Sequence, residues 1–142
     1  MDAHGMIGHL IRRLHQKSTQ VFTRRMTEAG FDLTSVQFAA LDAINANPGI
    51  DQARVAEAIA FDRATIGGVI DRLERKGLVI RRISPTDRRA RVLDLSPEGQ
   101  AVYAQILPIV ADLQSEIVSS LTADQRSTLH RLLGLALREE GE

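Results

Sequence analysis

Apolar residues recur at helical spacing over the first thirty residues of the chain. One stripe collects Ile7, Leu10, Ile11, Leu14, Val21 and Phe22. Gly30 follows the last of them, and glycine is the residue that most often stands just past the end of a helix. The pattern predicts a first helix over residues 5–29.

The next three helices are predicted from their capping residues. Thr34 and Gln37 have the spacing of a capping box, and that helix is expected to end near residues 47–49, Asn-Pro-Gly. Asp51 is placed to cap a short third helix and Asp62 to cap a fourth. An apolar residue precedes each cap and can pack onto the first turns of its helix: Leu33, Ile50 and Phe61.

The hydrophobic period then changes. Residues 78–84 and 91–95 alternate in the manner of two short strands, and they flank a polar loop over residues 84–90. Ser96 followed by Pro97 has the composition of a helix start, with a capping residue and then proline at the first helical position.

Two helices complete the chain. The helix that starts at Pro97 is expected to reach about Ser119 and to be kinked at Pro108. Thr122 and Gln125 form a second capping box, which opens a leucine-rich last helix. The predicted order is therefore four helices, a β-hairpin and two helices, a mostly α fold with a small β-hairpin (α+β).

The third and fourth helices with the hairpin after them have the plan of a winged helix-turn-helix. The fourth helix would enter the major groove of DNA by its N-terminal part. Its apolar face is expected in the core and consists of Ile66, Val69, Ile70 and Leu73. The opposite face carries Ala64, Gly67, Gly68, Asp71, Arg72 and Arg75.

Two glycines on that opposite face need an explanation. Gly67 and Gly68 each cost roughly 1 kcal/mol relative to alanine inside a helix. Close approach of this face to DNA would compensate, and Ala64 is small enough to touch a thymine methyl group. Close packing against a neighbouring helix, or simple drift, would also account for them.

The charge is unevenly distributed although the net charge is zero. Residues 61–91 carry +5 and residues 1–30 carry +3, while the other segments are acidic. Sixteen of the 18 cations are arginine, which suits bidentate contacts to phosphates and bases. The codon usage of a GC-rich genome would favour arginine as well.

Six short motifs follow one another in the middle of the chain: residues 55–59 (Val-Ala-Glu-Ala-Ile), Thr65-Ile66, residues 71–79 (Asp-Arg-Leu-Glu-Arg-Lys-Gly-Leu-Val), Arg81-Arg82, residues 87–91 (Asp-Arg-Arg-Ala-Arg) and residues 95–99 (Leu-Ser-Pro-Glu-Gly). This ordered set resembles the multiple-antibiotic-resistance regulator (MarR) family. The Asp-Arg-Arg wing is the specific part, since a helix-turn-helix alone is common. The flanking helices fit the same plan, so the resemblance covers nearly the whole chain.

The resemblance implies a homodimeric transcription factor, usually a repressor that a small ligand releases from DNA. Residues 1–142 would form one domain, with residues 31–96 as the DNA-binding lobe and residues 1–30 and 97–142 as dimerisation helices. Arg89 and Arg91 would contact the minor groove or its phosphates, with Asp87 holding an arginine in position. A solvated hairpin tip is the alternative for these three residues.

The residues expected to contact DNA are Gln52, Arg54, Arg63, Ala64, Thr65, Gly67, Gly68, Arg72, Asp87, Arg88, Arg89 and Arg91. The family commonly has a hydroxyl residue and a basic residue where this chain has Gly67 and Gly68. Base readout is therefore expected to depend more on Arg63, Thr65 and the wing, on a pseudo-palindromic operator.

The first helix also offers a candidate ligand site. His9, Arg13 and Lys17 are four residues apart and flank the apolar stripe. A cationic ridge beside apolar surface suits a small aromatic or other organic carboxylate, with Arg13 as the anion anchor. Phe38 and Tyr103 could line the pocket. An ordinary polar helix edge, or phosphate contacts, would explain the ridge as well.

Other functions have weaker support. His4, His9 and His15, the first three of four histidines, do not share a helix face and there is no cysteine, so no metal site and no cofactor are expected. No catalytic constellation or phosphate-binding loop is present, so an enzyme is not expected. No apolar run has the length of a membrane span, and the first residues do not have a secretory signal, which predicts a cytoplasmic protein without a membrane partner.

The sequence thus favours a DNA-binding regulator that responds to an organic acid. The alternative is a winged-helix module that binds proteins instead of DNA. A steep loss of duplex affinity with salt would distinguish the first from the second.

Overall fold

The computed structural model describes residues 2–138. Within that range there are six α-helices and three strands. The helices are α1 (Ile7–Glu28), α2 (Ser35–Ala46), α3 (Gln52–Ala58), α4 (Arg63–Arg75), α5 (Pro97–Ile117) and α6 (Ala123–Ala136), and the strands are β1 (Ile50–Asp51), β2 (Val79–Ile83) and β3 (Arg91–Leu95). The predicted six-helix α+β architecture is confirmed. A single 3₁₀ turn at Ala3–Gly5 precedes α1 and was not predicted.

The capping residues act as the sequence indicates. The Thr34 hydroxyl accepts from the Gln37 backbone N–H at 3.1 Å, and the Gln37 side chain accepts from the Thr34 N–H at 3.2 Å. Asp51 and Asp62 accept backbone N–H groups at the starts of α3 and α4, each at 2.9 Å. These bonds satisfy amide donors that have no partner inside the helix, and so they fix where each helix begins.

The hairpin belongs to a small antiparallel sheet with the strand order β1-β3-β2. β2 and β3 pair over five residues, from Val79 opposite Leu95 to Ile83 opposite Arg91. β1 adds only Ile50 and Asp51 to the other side of β3. The hairpin is confirmed, whereas β1 is too short to show alternation, so no hydrophobic pattern indicates it.

The core lies where α2, α3 and α4 meet the sheet and where α1 and α5 cross above them. Its fully buried side chains include Met26, Leu41, Ile44, Ile70, Leu73, Leu93 and Ile106. The predicted core face of α4 is therefore correct. α5 runs through Pro108 without a break and ends at Ile117, two residues before the predicted end.

Ion pairs join α1 to α5. Arg25 donates to Asp112 at 2.8 Å and also to Glu116, which accepts from Arg24 as well. These hydrogen bonds, first from Arg24 and then from Arg25, hold the pKa of Glu116 below its ordinary value. The crossing of α1 and α5 is thereby fixed at the end of α1 that lies next to the helix-turn-helix.

α6 differs from the other long helices, since none of its residues is buried against the part of the chain described here. Its exposed leucines are Leu132, Leu133, Leu135 and Leu137. No helix between residues 2 and 138 combines the length and apolar character that crossing a membrane requires.

Candidate nucleic-acid interface

α4 presents a polar face beside the hairpin. Ala64, Gly68, Arg72 and Arg75 are exposed on it, and Gly67 and Asp71 are partly buried. Asp62 caps the N-terminus of the helix, so the first backbone amides and Arg63 stand at the end that a winged helix-turn-helix inserts into the major groove.

The two glycines of this face are not required by packing inside the protein. A Cβ built on Gly67 would meet Gln52 Nε2 at 3.5 Å, which is an ordinary contact, and one on Gly68 would find nothing nearer than Arg72 Nη1 at 3.9 Å. Close packing against a neighbouring helix is therefore ruled out as the reason for them within the described chain. Approach to DNA, or drift, remains.

The tip of the hairpin is organised by its own hydrogen bonds. Ser84 is buried, and its hydroxyl accepts from the backbone N–H groups of Thr86 and Asp87, each at 3.2 Å. Asp87 accepts from the Arg89 backbone N–H at 3.0 Å and lies 3.4 Å from Arg89 Nε. Arg91 Nη1 donates to the Arg88 carbonyl at 3.1 Å. The arginines thus project from an ordered turn.

Ser84 was not among the predicted site residues. The signal was available, because a serine followed by proline and then by aspartate at the third position is typical of a turn closed by side-chain oxygens.

A groove of about 410 Å³ runs between the starts of α3 and α4 and the hairpin. It is lined by Asp51, Gln52, Ala53, Arg63, Ile66, Asp87, Arg89, Ala90 and Arg91. Five of the predicted DNA contacts meet there: Gln52, Arg63, Asp87, Arg89 and Arg91. Of the others, Ala64, Thr65, Gly67, Gly68 and Arg72 continue along the open face of α4, Arg88 stands at the wing tip, and Arg54 faces a separate cavity beside Pro48.

Arg81 does not line the groove, but it links the hairpin to α3 and α4. It donates to Gln52 Oε1 at 3.2 Å, to Glu74 Oε1 at 3.2 Å and to Asp71. The hydrogen bond to Asp71 raises the pKa of Arg81 above its ordinary value, against a smaller opposing effect of burial. The sequence reading missed this residue as part of the site.

The predicted ligand residues fall into two groups. Phe38 stacks on Tyr103 with ring centroids 5.9 Å apart, and Phe22 of α1 packs against Phe38 at 6.0 Å. The Tyr103 hydroxyl donates to Asp42 at 2.5 Å, and this bond raises the pKa of the phenol. Phe38 and Tyr103 are therefore in contact with each other, between α2 and α5.

The cations of α1 stand apart from that aromatic pair. Arg13 and Lys17 are exposed and make no ion pair within residues 2–138, and the His9 ring packs against His4 at 4.8 Å. Nine residues separate Arg13 from Phe22, which at about 100° per residue puts them on opposite sides of the helix. The structure does not bring the ridge and the aromatic pair together within one protomer. Between residues 2 and 138 it also holds no cluster of three side chains suited to a metal ion.

A winged helix-turn-helix with an arginine-lined groove defines a class of DNA-binding proteins, and three comparisons place the chain within it. The MarR family model matches residues 31–90. The transcriptional repressor NicR of Pseudomonas putida is 32% identical over 132 residues, which cover 93% of this chain and 82% of that protein.

Two solved structures share the whole fold. BpsR of Bordetella bronchiseptica, studied for the regulation of its DNA binding by 6-hydroxynicotinic acid, has a TM-score of 0.86 at 27% identity over 98% of this chain and 99% of its own. A mutant Escherichia coli MarR complexed with operator DNA has a TM-score of 0.85 at 30% identity, covering 97% of this chain and 100% of its own. The chain belongs to the MarR family of DNA-binding transcriptional regulators, which are not enzymes.

Proposed function

We propose that the protein is a homodimeric repressor that binds a pseudo-palindromic operator and is released by a small aromatic acid. The groove between α4 and the hairpin carries the proposal, because Arg63, Arg89 and Arg91 line it together. The two carboxylates that line the groove accept backbone N–H groups, Asp51 at the start of α3 and Asp87 from Arg89, and the Arg89 side chain is 93% exposed. The arginines are thus available to phosphates and bases. Binding to the chromosome would place the protein in the cytoplasm.

Two apolar surfaces support the homodimer. A groove of about 630 Å³ between α1, α5 and α6 is lined mainly by apolar side chains, among them Ile11, Leu14, Leu129 and Leu133. α6 has no buried residue of its own in the described chain. A second copy would cover both surfaces and set two recognition helices about one helical turn of DNA apart.

Arg89→Ala tests the DNA-binding assignment. The variant loses a cation at the wing, so its affinity should fall for every duplex, whatever the sequence. For a dimer, which loses two phosphate contacts, the slope of log Kd against log salt should become shallower by about 2. Fluorescence anisotropy with operator and random duplexes between low and high salt measures both quantities.

Arg82→Met is the matched control for Arg89→Ala. Arg82 lies on the same hairpin but pairs with Asp94 across the sheet. The Arg82→Met variant should therefore keep the wild-type slope of log Kd against log salt. Identical slopes for Arg89→Ala and wild type would remove Arg89 from the interface. No duplex binding by the wild-type protein at low salt would instead favour the protein-binding module.

The proposed class of effector is supported by the acid that regulates a similar protein and by the charge of α1. 6-Hydroxynicotinic acid, named with BpsR, is an aromatic carboxylic acid. In this chain Arg13 and Lys17 form an exposed cationic ridge on α1, with no ion pair in the described residues. Because the ridge points away from Phe38 and Tyr103, an acid held by Arg13 would take its apolar contacts from exposed side chains of α1, such as Leu10, or from the partner protomer.

Arg13→Ala should abolish the response to benzoate while DNA binding stays within about twofold of wild type. A bound acid releases DNA only if it favours a spacing of the recognition helices that does not fit the operator, and a tenfold loss of operator affinity needs about 1.4 kcal/mol of such coupling. Titration calorimetry with benzoate and 6-hydroxynicotinate measures binding, and benzamide is the uncharged control.

Arg12→Ala is the neighbouring control, since Arg12 lies about 100° around the helix from Arg13 and nearer to the side of Phe22. We expect it to retain the heat of benzoate binding. Loss of that heat in Arg12→Ala alone would move the anchor to the Phe22 side of α1. Equal heats in both variants and wild type would place the acid away from α1.

A further inference from the structure

Gln52, at the start of α3, accepts a hydrogen bond from Arg81. Arg81 is 22% exposed, and its guanidinium is surrounded by Asp71 and Glu74 of α4 in addition to Gln52. It does not line the groove, whereas Gln52 does. The charge of Arg81 is thus balanced by protein carboxylates. Its connection to the groove is the hydrogen bond to the Gln52 amide.

The hydrogen bond fixes which way the Gln52 amide points. A guanidinium has donors only, so the atom 3.2 Å from Arg81 Nη1 has to be the amide oxygen. The amide nitrogen of Gln52 then faces away from Arg81. It lies 3.5 Å from the point where a Cβ on Gly67 would stand. Because Gly67 has no side chain, no Cβ covers the amide nitrogen on that side.

On the basis of the proposed DNA-binding function, we propose that the hydrogen bond from Arg81 leaves Gln52 with only hydrogen-bond donors to offer one base. The absence of a side chain at Gly67 leaves room for that base. A glutamine with a free amide offers a donor and an acceptor together, which matches adenine in the major groove. With its oxygen turned to Arg81, Gln52 offers N–H groups alone. Guanine presents two acceptors there, N7 and O6, whereas adenine presents its N6 amino donor beside N7. Guanine is therefore favoured over adenine.

The same arrangement accounts for glycine at position 67. A larger side chain would lie against the amide nitrogen and shield it from a base. Glycine costs roughly 1 kcal/mol relative to alanine at a helical position. Access to the Gln52 amide is a physical reason to keep it, and Gly68, which has no contact with Gln52, does not share that reason.

The test begins with selection and sequencing of duplexes bound by the full chain, wild type and Gln52→Ala. The position whose base preference disappears in Gln52→Ala is the one that Gln52 reads. Binding constants for operators that differ only there should favour guanine over adenine by about tenfold in the wild type, within the range of one good side chain–base contact. In Arg81→Met the amide can turn, so the guanine-to-adenine ratio should fall below about twofold.

Arg82→Met is the control for the loss of an arginine from this strand, since Arg82 pairs with Asp94 and does not contact Gln52. It should keep the wild-type ratio. Should Arg81→Met fail to fold, Gly67→Ala makes the same test without removing an ion pair. Its methyl group fits at ordinary contact distance but covers the amide nitrogen, so the guanine preference should fall while Gly68→Ala retains it.

An adenine preference in the wild type at this position would overturn the proposal. So would an unchanged ratio in both Arg81→Met and Gly67→Ala. In either case DNA binding itself would stand. Selection that returns no motif, with no binding to any duplex, would overturn the proposed function and this inference with it.

Discussion

Replacing Gly99 with alanine is expected to destabilise the protein by about 3 kcal/mol or more, at the upper end of what an overpacked site costs. Gly99 is buried in the first turn of α5, where a Cβ would lie 2.0 Å from the Leu78 carbonyl oxygen and 2.9 Å from its carbon. Neither backbone can easily move away. The Leu78 carbonyl accepts from the Ser96 N–H at 3.0 Å, and the Gly99 N–H donates to the Ser96 hydroxyl at 2.9 Å.

Thermal unfolding measures the effect of Gly99→Ala, with an expected fall in Tm of about 10 °C for a chain of this size. Gly68→Ala is the control, because it makes the same chemical change at an exposed helical position and should raise Tm slightly. A Tm for Gly99→Ala within about 2 °C of wild type would mean that Leu78, just before β2, moves aside. The contact between Leu78 and the first turn of α5 would then be less rigid than its hydrogen bonds indicate.

The parts of the fold that sequence predicted well are those set by neighbours along the chain. A capping box such as Thr34 with Gln37 needs only two residues three positions apart, so the start of the helix can be predicted from the local sequence. The same holds for the buried face of α4, which follows from the 3.6-residue period. The candidate DNA contacts could be listed for that reason, since they occupy the remaining face of α4 and the hairpin tip.

The features that sequence missed depend on contacts between distant segments. Arg81 reaches Gln52 across 29 positions and Asp71 across 10. Alternation along β2 placed Arg81 on the same side as buried Val79, and a charge on that side requires partners. That signal indicates that partners exist, but only the packing of three elements determines which. Gly99 is similar, because its need for glycine comes from the Leu78 backbone, not from its own helix.

The apolar surfaces of α1 and α6 differ from both groups, since contacts within the described residues leave much of them uncovered. α6 has 14 residues and a capping box at Thr122, yet buries no residue in the described chain. An isolated helix of that length is marginal in water. Met6, Ile7, Leu10 and Ile11 of the first helix region are exposed as well. Apolar surface of this extent at both ends supports a homodimer in which the two copies cover each other.

Leu133→Glu should therefore convert the protein to a monomer at micromolar concentration and weaken operator binding by about 10²-fold or more. Leu133 lines the apolar groove between α1, α5 and α6, so the variant would bury one carboxylate from each copy among mostly apolar side chains. A monomer reads one half-site and loses the effective concentration that linkage gives the second recognition helix, which is where the factor comes from. Sedimentation velocity reports the mass, and anisotropy with the operator reports the affinity.

Ser127→Glu is the control for Leu133→Glu. It adds the same charge to α6, about 120° around the helix from Leu133 and about 160° from Leu129, and the variant should remain dimeric. A dimeric Leu133→Glu with wild-type operator affinity would show that the copies meet elsewhere.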